Sequence, residues 1–149
     1  MQTVGLTALV EKLKLKNLTP EVDMSDTVIT TPNINRPALQ LAGYFDHFAS
    51  DRVQIIGYVE YTYLKHLTIE QRLPIYERFL SSEIPCVIFS SRTEPDDEFL
   101  KLAVKHNKPL LASDQETSPF MAECIRALST MLAPCISIHG VLVDVYGEG

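Results

Sequence analysis

Asn33, Asn35 and Arg36 follow a short β-branched run at residues 28–31, and Glu60, Tyr61 and Tyr63 follow an apolar run at 53–59. Ser90, Ser91 and Arg92 follow a third run at 84–89, and Ser113 and Asp114 close a fourth at 109–113. If these runs are parallel strands, their carboxyl ends share one edge, and ligands bind in the crevice outside it. Guanidinium groups and hydroxyls near helix N-termini would hold an anion there. The candidate crevice is therefore Asn35, Arg36, Glu60, Ser91 and Arg92. A competing reading makes Asn35, Thr93 and Ser118 helix caps and leaves the arginines solvated or paired with local acids, because caps are expected at such junctions. His139 is a separate candidate. It stands beside Gly140 between two apolar strand-like segments, where an exposed imidazole suits acid–base work.

Other chemistries find little support. The four histidines, His47, His66, His106 and His139, stand singly and never at the spacing of a metal pair. His106 falls near a helix C-terminus, where the dipole favours it. Cys86, Cys124 and Cys135 form no C-x-x-C pair and cannot all bridge one another, which fits a reducing compartment. Cys86 sits in the run Pro85-Cys86-Val87-Ile88-Phe89 and reads as a small buried hydrophobe. Neither G-x-G-x-x-G nor G-x-x-x-x-G-K-[ST] occurs, so no cofactor is expected on this chain itself, and no G-x-S-x-G elbow occurs either.

Nineteen acidic against 13 basic residues give a net charge of −6, the wrong sign for holding nucleic acid through its phosphates. No run approaches the roughly 18 consecutive apolar residues of a membrane span, and Glu11, Lys12, Lys14 and Lys16 interrupt the N-terminal apolar residues. The expectation is a soluble cytoplasmic chain with neither nucleic acid nor membrane as partner. With 46% apolar and 21% charged residues, 149 residues suffice for one buried core.

The elements that would position these groups alternate. Leu6, Leu9, Val10 and Leu13 recur at helical spacing over residues 5–15. Residues 28–31 read as the first strand, and Asn35-Arg36-Pro37 as the capped start of a short helix closed by Gly43. The run 53–59 has the pattern of a strand covered on both faces, followed by a helical turn over 61–67. Thr68-x-x-Gln71 is a capping-box spacing that opens a helix over 69–81. A strand at 84–89, a helix opening at Glu94-Pro95-Asp96-Asp97, a strand at 109–113 and a helix opening at Ser118-Pro119 complete the series. Short connections between alternating strands and helices predict a three-layer α/β/α domain with a mostly parallel sheet over residues 1–132. Residues 136–138 and 141–145 are strand-like with no helix after them. They break the rhythm, so 133–149 reads as a linker and the truncated start of a second domain.

Three strings carry a family resemblance. Asn35-Arg36-Pro37-Ala38-Leu39-Gln40-Leu41-Ala42-Gly43-Tyr44-Phe45, Asp51-Arg52-Val53-Gln54-Ile55-Ile56-Gly57 and Ile138-His139-Gly140-Val141-Leu142-Val143-Asp144-Val145-Tyr146-Gly147 resemble bacterial HPr kinase/phosphorylase along essentially the whole chain. The resemblance implies an N-terminal α/β domain related in fold to the first domain of the MurF ligase, ahead of a P-loop kinase domain that begins at the H-G-V-L-V-D-V strand. It places His139 on an active-site histidine of that family. It also implies a hexameric parent that uses ATP and magnesium to phosphorylate a serine of the phosphocarrier HPr, and removes the phosphate by phosphorolysis, in carbon catabolite control. Without a P-loop, this chain alone is expected to be inactive, with a regulatory or interaction role. The alternative is a freestanding small-ligand sensor or structural domain that uses the polar strand-end edge.

Overall fold

Val53, Gln54, Ile55 and Ile56 are all buried, as a strand covered on both faces requires. The computed structural model, which describes residues 2–133, builds a layered domain around them. In chain order it runs β1 (Val4–Gly5), α1 (Leu6–Leu13), β2 (Lys16–Asn17), β3 (Val28–Ile29), β4 (Ile34–Asn35), α2 (Ala38–Leu41) and β5 (Val53–Ile56). The chain continues through α3 (Tyr58–Lys65), α4 (Ile69–Leu80), β6 (Val87–Phe89), α5 (Asp97–Lys105), β7 (Leu110–Ala112) and α6 (Thr117–Leu132). Among the described residues the main sheet has five strands in the order β2-β7-β6-β5-β4. β4 to β7 are parallel, with Gln54 opposite Val87 and Val87 opposite Leu110, and β2 adds an antiparallel edge on β7.

Side chains of successive strand residues point to opposite faces, and the core divides accordingly. Ile55, Ile88 and Leu111 pack with Leu6 and Leu9 of α1 and Phe120, Cys124 and Leu128 of α6. Ile56, Val87, Phe89 and Leu110 pack on the other side with Leu41 of α2, Tyr76 and Phe79 of α4, and Phe99 and Ala103 of α5. This is the three-layer α/β/α arrangement expected from the alternation of elements. The capping box at Thr68 and Gln71 is formed: Gln71 N donates to Thr68 Oγ1 at 3.2 Å and Thr68 N donates to Gln71 Oε1 at 2.8 Å.

The first strand of the main sheet is not where the sequence placed it. Val28–Ile29 pairs antiparallel with Val4–Gly5 in a separate two-stranded ribbon. The parallel sheet instead begins at Ile34–Asn35, within the residues read as a helix start. The cause is tertiary: the Asn35 amide donates to Gln54 Oε1 at 2.7 Å and to Gln40 Oε1 at 3.3 Å, tying the segment to β5 and α2. Two further boundaries shift. The strand expected over 53–59 stops at Ile56, and α3 starts at Tyr58 instead of residue 61. β2 carried no strand pattern because it is a two-residue edge whose side chains are exposed. His139, Cys135 and the strand-like segments 136–138 and 141–145 lie outside the described residues. No helix among the described residues is long and apolar enough to cross a membrane.

Candidate functional site

The carboxyl ends of β4 to β7 lie on one edge, and the residues just beyond them form a connected polar structure. After β4, Arg36 grips Glu60 of α3 with two bonds, Nη2 to Oε1 at 2.6 Å and Nε to Oε2 at 3.1 Å. Such a fork-to-fork pair is strong and geometrically specific. Glu60 is 3% exposed, and its Oε1 also accepts the Gly57 N–H at 2.8 Å. A β-carbon on Gly57 would lie 2.6 Å from Thr117 Oγ1 and 2.7 Å from Arg36 Nη2, so only glycine lets these groups converge.

The hydroxyls between β6 and α6 form a chain with one direction. Ser90 Oγ donates to the Ile56 carbonyl at 2.9 Å, which uses its only proton. It therefore accepts from Thr117 Oγ1 at 2.8 Å, and Thr117 Oγ1 in turn accepts from Ser91 Oγ at 2.8 Å. Ser91 Oγ receives the Thr117 N–H at 3.0 Å. Every hydroxyl proton of this chain is committed, which makes the group a clamp across the ends of β5, β6 and α6 and not a set of nucleophiles.

Helices α3, α4 and α5, which come after β5 and β6, cover one face of the sheet, and α6, which comes after β7, covers the other. The chain paths therefore part between β6 and β7, the topological switch at which open α/β sheets place ligands. A cleft of about 550 Å³ lies there, lined by Tyr58, Ser91, Arg92, Asp114, Glu116, Thr117 and Ser118. Ser91 and Arg92 both adopt left-handed backbone, φ 55° and 57°. Two successive non-glycine residues in that region are costly, and strain of this kind collects at functional sites.

Of the five crevice residues named from sequence, Ser91 and Arg92 line this cleft. Arg36 and Glu60 are bound to each other across 24 residues of sequence, and Asn35 serves the amide network of β4 and β5. The three proposed caps are corrected. Pro37 begins α2 without a side-chain cap bond, Asp96 caps α5 through the Phe99 N–H at 2.8 Å, and Ser118 lies inside α6, whose N-cap is Glu116. Thr93 Oγ1 instead donates to the Ser90 carbonyl at 2.8 Å. His106 sits at the C-terminus of α5 as expected, its Nε2 2.7 Å from Glu77 Oε2. Tyr58, Glu116 and Thr117 were missed. The one available signal was position, since each stands at or one residue from a strand-to-helix junction.

The model of the HPr serine kinase N terminus matches residues 4–128. The chain belongs to that family. The HPr kinase/phosphorylase of Lachnoclostridium phytofermentans is 51% identical over 149 residues, and that of Caldicellulosiruptor bescii 45% over 147. The chain covers 48% and 47% of those two proteins, so it spans about half the length of the curated relatives it matches. The likeness to the solved CBS and DRTGG domains of the regulatory region of Clostridium perfringens pyrophosphatase, in complex with its activator diadenosine tetraphosphate, is one of fold. It has a TM-score of 0.56 at 14% identity and covers 91% of this chain and 53% of that one. Within the HPr serine kinase N-terminal family the first two motif strings acquire a structural meaning. Asn35, Arg36, Gln40, Gln54 and Gly57 are the members of the networks that bind β4, β5, α2 and α3 into one edge.

Proposed function

We propose that this chain is the regulatory and interaction region of an HPr kinase/phosphorylase, an enzyme that phosphorylates a serine of HPr with ATP and removes the phosphate by phosphorolysis. Coverage carries the reading: the family match fills residues 4–128, while relatives bearing that enzyme's name are about twice as long as the matched chain. Its own sequence offers no phosphate-cradling glycine loop. In this reading ATP, magnesium, the HPr contacts and the hexamer interfaces belong to the part of the relatives beyond this chain. Residues 133–149 lead into that part with His139 as a catalytic group, and the setting is cytoplasmic control of carbon source use.

A second reading rests on the cleft at the switch point and its left-handed Ser91-Arg92 pair. It makes the chain a small-ligand sensor. Incubating this chain with ATP, magnesium and HPr is expected to yield no phosphoserine; turnover would overturn the first reading. Calorimetric titration with phosphorylated sugars and nucleotides addresses the second, which requires saturable heat that Arg92→Ala abolishes.

A further inference from the structure

The cleft between β6 and β7 carries both signs of charge, and each sign comes from its own loop. Arg92 reaches it from the β6–α5 loop, and Asp114 and Glu116 reach it from the β7–α6 loop. All three side chains are exposed, and among the described residues none of them forms an ion pair. The guanidinium and both carboxylates are therefore open to a ligand. Tyr58, the first residue of α3, adds an aromatic ring to the same cleft and is 62% exposed.

The two charged loops are tied together. Ser91 N donates to the Gln115 carbonyl at 2.7 Å, and Thr117 N donates to Ser91 Oγ at 3.0 Å. The loop that bears the cation is thus fixed against the loop that bears the acids, and a site arranged before its ligand arrives loses less on binding.

The same groups define what the cleft can take. The start of α6 is poorly furnished for phosphate, because the Thr117 N–H is already given to Ser91 Oγ and Pro119 has none to give. Two carboxylates beside a single guanidinium also repel a dianion. One positive charge against two negative ones instead complements a molecule with one carboxylate and two cationic groups. A guanidinium among those groups would stack on the Tyr58 ring.

We propose that the cleft binds a cationic α-amino acid, with its carboxylate on the Arg92 guanidinium and its ammonium and side-chain cation on Asp114 and Glu116. This rests on the sensor reading of the same cleft and names the charge its ligand carries.

L-Arginine is the probe, titrated into this chain by calorimetry and followed by two-dimensional amide NMR. Saturable heat is expected, with shifts centred on Tyr58, Arg92, Gln115 and Ser118. L-Citrulline keeps the shape without the side-chain charge, agmatine lacks the carboxylate, and each should bind at least tenfold more weakly. Arg92→Gln should weaken arginine tenfold or more and leave agmatine unchanged, whereas Glu116→Gln should weaken both several-fold. Both substituted side chains are exposed, so the remaining spectrum should stay intact. Absence of saturation by about 10 mM arginine, agmatine binding as tightly as arginine, or undiminished affinity in Arg92→Gln would each overturn the proposal. Saturation by a sugar phosphate or nucleotide but not by arginine would overturn it while the sensor reading stood, and saturation by none of these would remove both.

Discussion

Gly57 is extended, at φ −110°, so its demand for glycine is one of space and not of backbone freedom. Gly57→Ala would push a methyl group into Thr117 and Arg36 and, as an overpacking change, should lower stability by about 1–3 kcal/mol, read from the urea midpoint. Cys86 and Cys124 make a second residue-scale case. Burial pushes both thiols up, Cys86 strongly and Cys124 to about 12, with a small further push from a neighbouring charge in each. An acid whose folded pKa is raised adds stability that is complete below its unfolded pKa and fades as pH climbs toward the folded one. This contribution should therefore hold at neutral pH and decline above about pH 9, seen as a falling melting temperature. In a Cys135→Ser background neither thiol should react with a thiol reagent at pH 8 until the protein is unfolded; rapid labelling of the native chain would contradict the burial. At this scale the sequence was half legible. It offered Cys86 as a buried hydrophobe from its apolar run alone. It could not pair Arg36 with Glu60 or Asn35 with Gln54, because those partners lie 24 and 19 residues away.

Helices whose signals are local were read well. The Thr68 capping box and the helical repeat of Leu6, Leu9, Val10 and Leu13 in α1 depend only on spacing within one or two turns. Thr68→Ala removes the side-chain acceptor for Gln71 N and should cost about 1 kcal/mol, measured by thermal unfolding; Thr68→Ser keeps the acceptor and should restore most of it. Strands defined by their neighbours were read poorly. β2 and β4 are two residues each, and both become strands only because β7 and β5 lie alongside. The start of α5 shows the same limit. Thr93 and Asp96 are both caps by type, and Asp96 takes the role, its carboxylate also serving Tyr76 and Arg72.

The whole-molecule plan came from the alternation of strands and helices with short connections, which admits few arrangements. Alternation could not reveal which helix goes to which face, and that choice, α5 on one side and α6 on the other, opens the cleft between β6 and β7. The placement also explains why the arginines named from sequence part company. Arg36 comes after β4, where the path turns toward α2 and meets Glu60, whereas Arg92 comes after β6 at the divergence and lines a cleft that also holds Asp114 and Glu116. The β6–α5 connection has a consequence of its own. Ser91 and Arg92 wall the cleft, and Glu94, Pro95 and Asp96 border a smaller hollow of about 180 Å³ beside α4, so one short loop is shared between two recesses. A guest that fixed this loop in one recess would change how far the loop had still to rearrange for a guest in the other. Binding free energies do not depend on the order of arrival, so whatever factor the first imposes on the second, the second returns to the first.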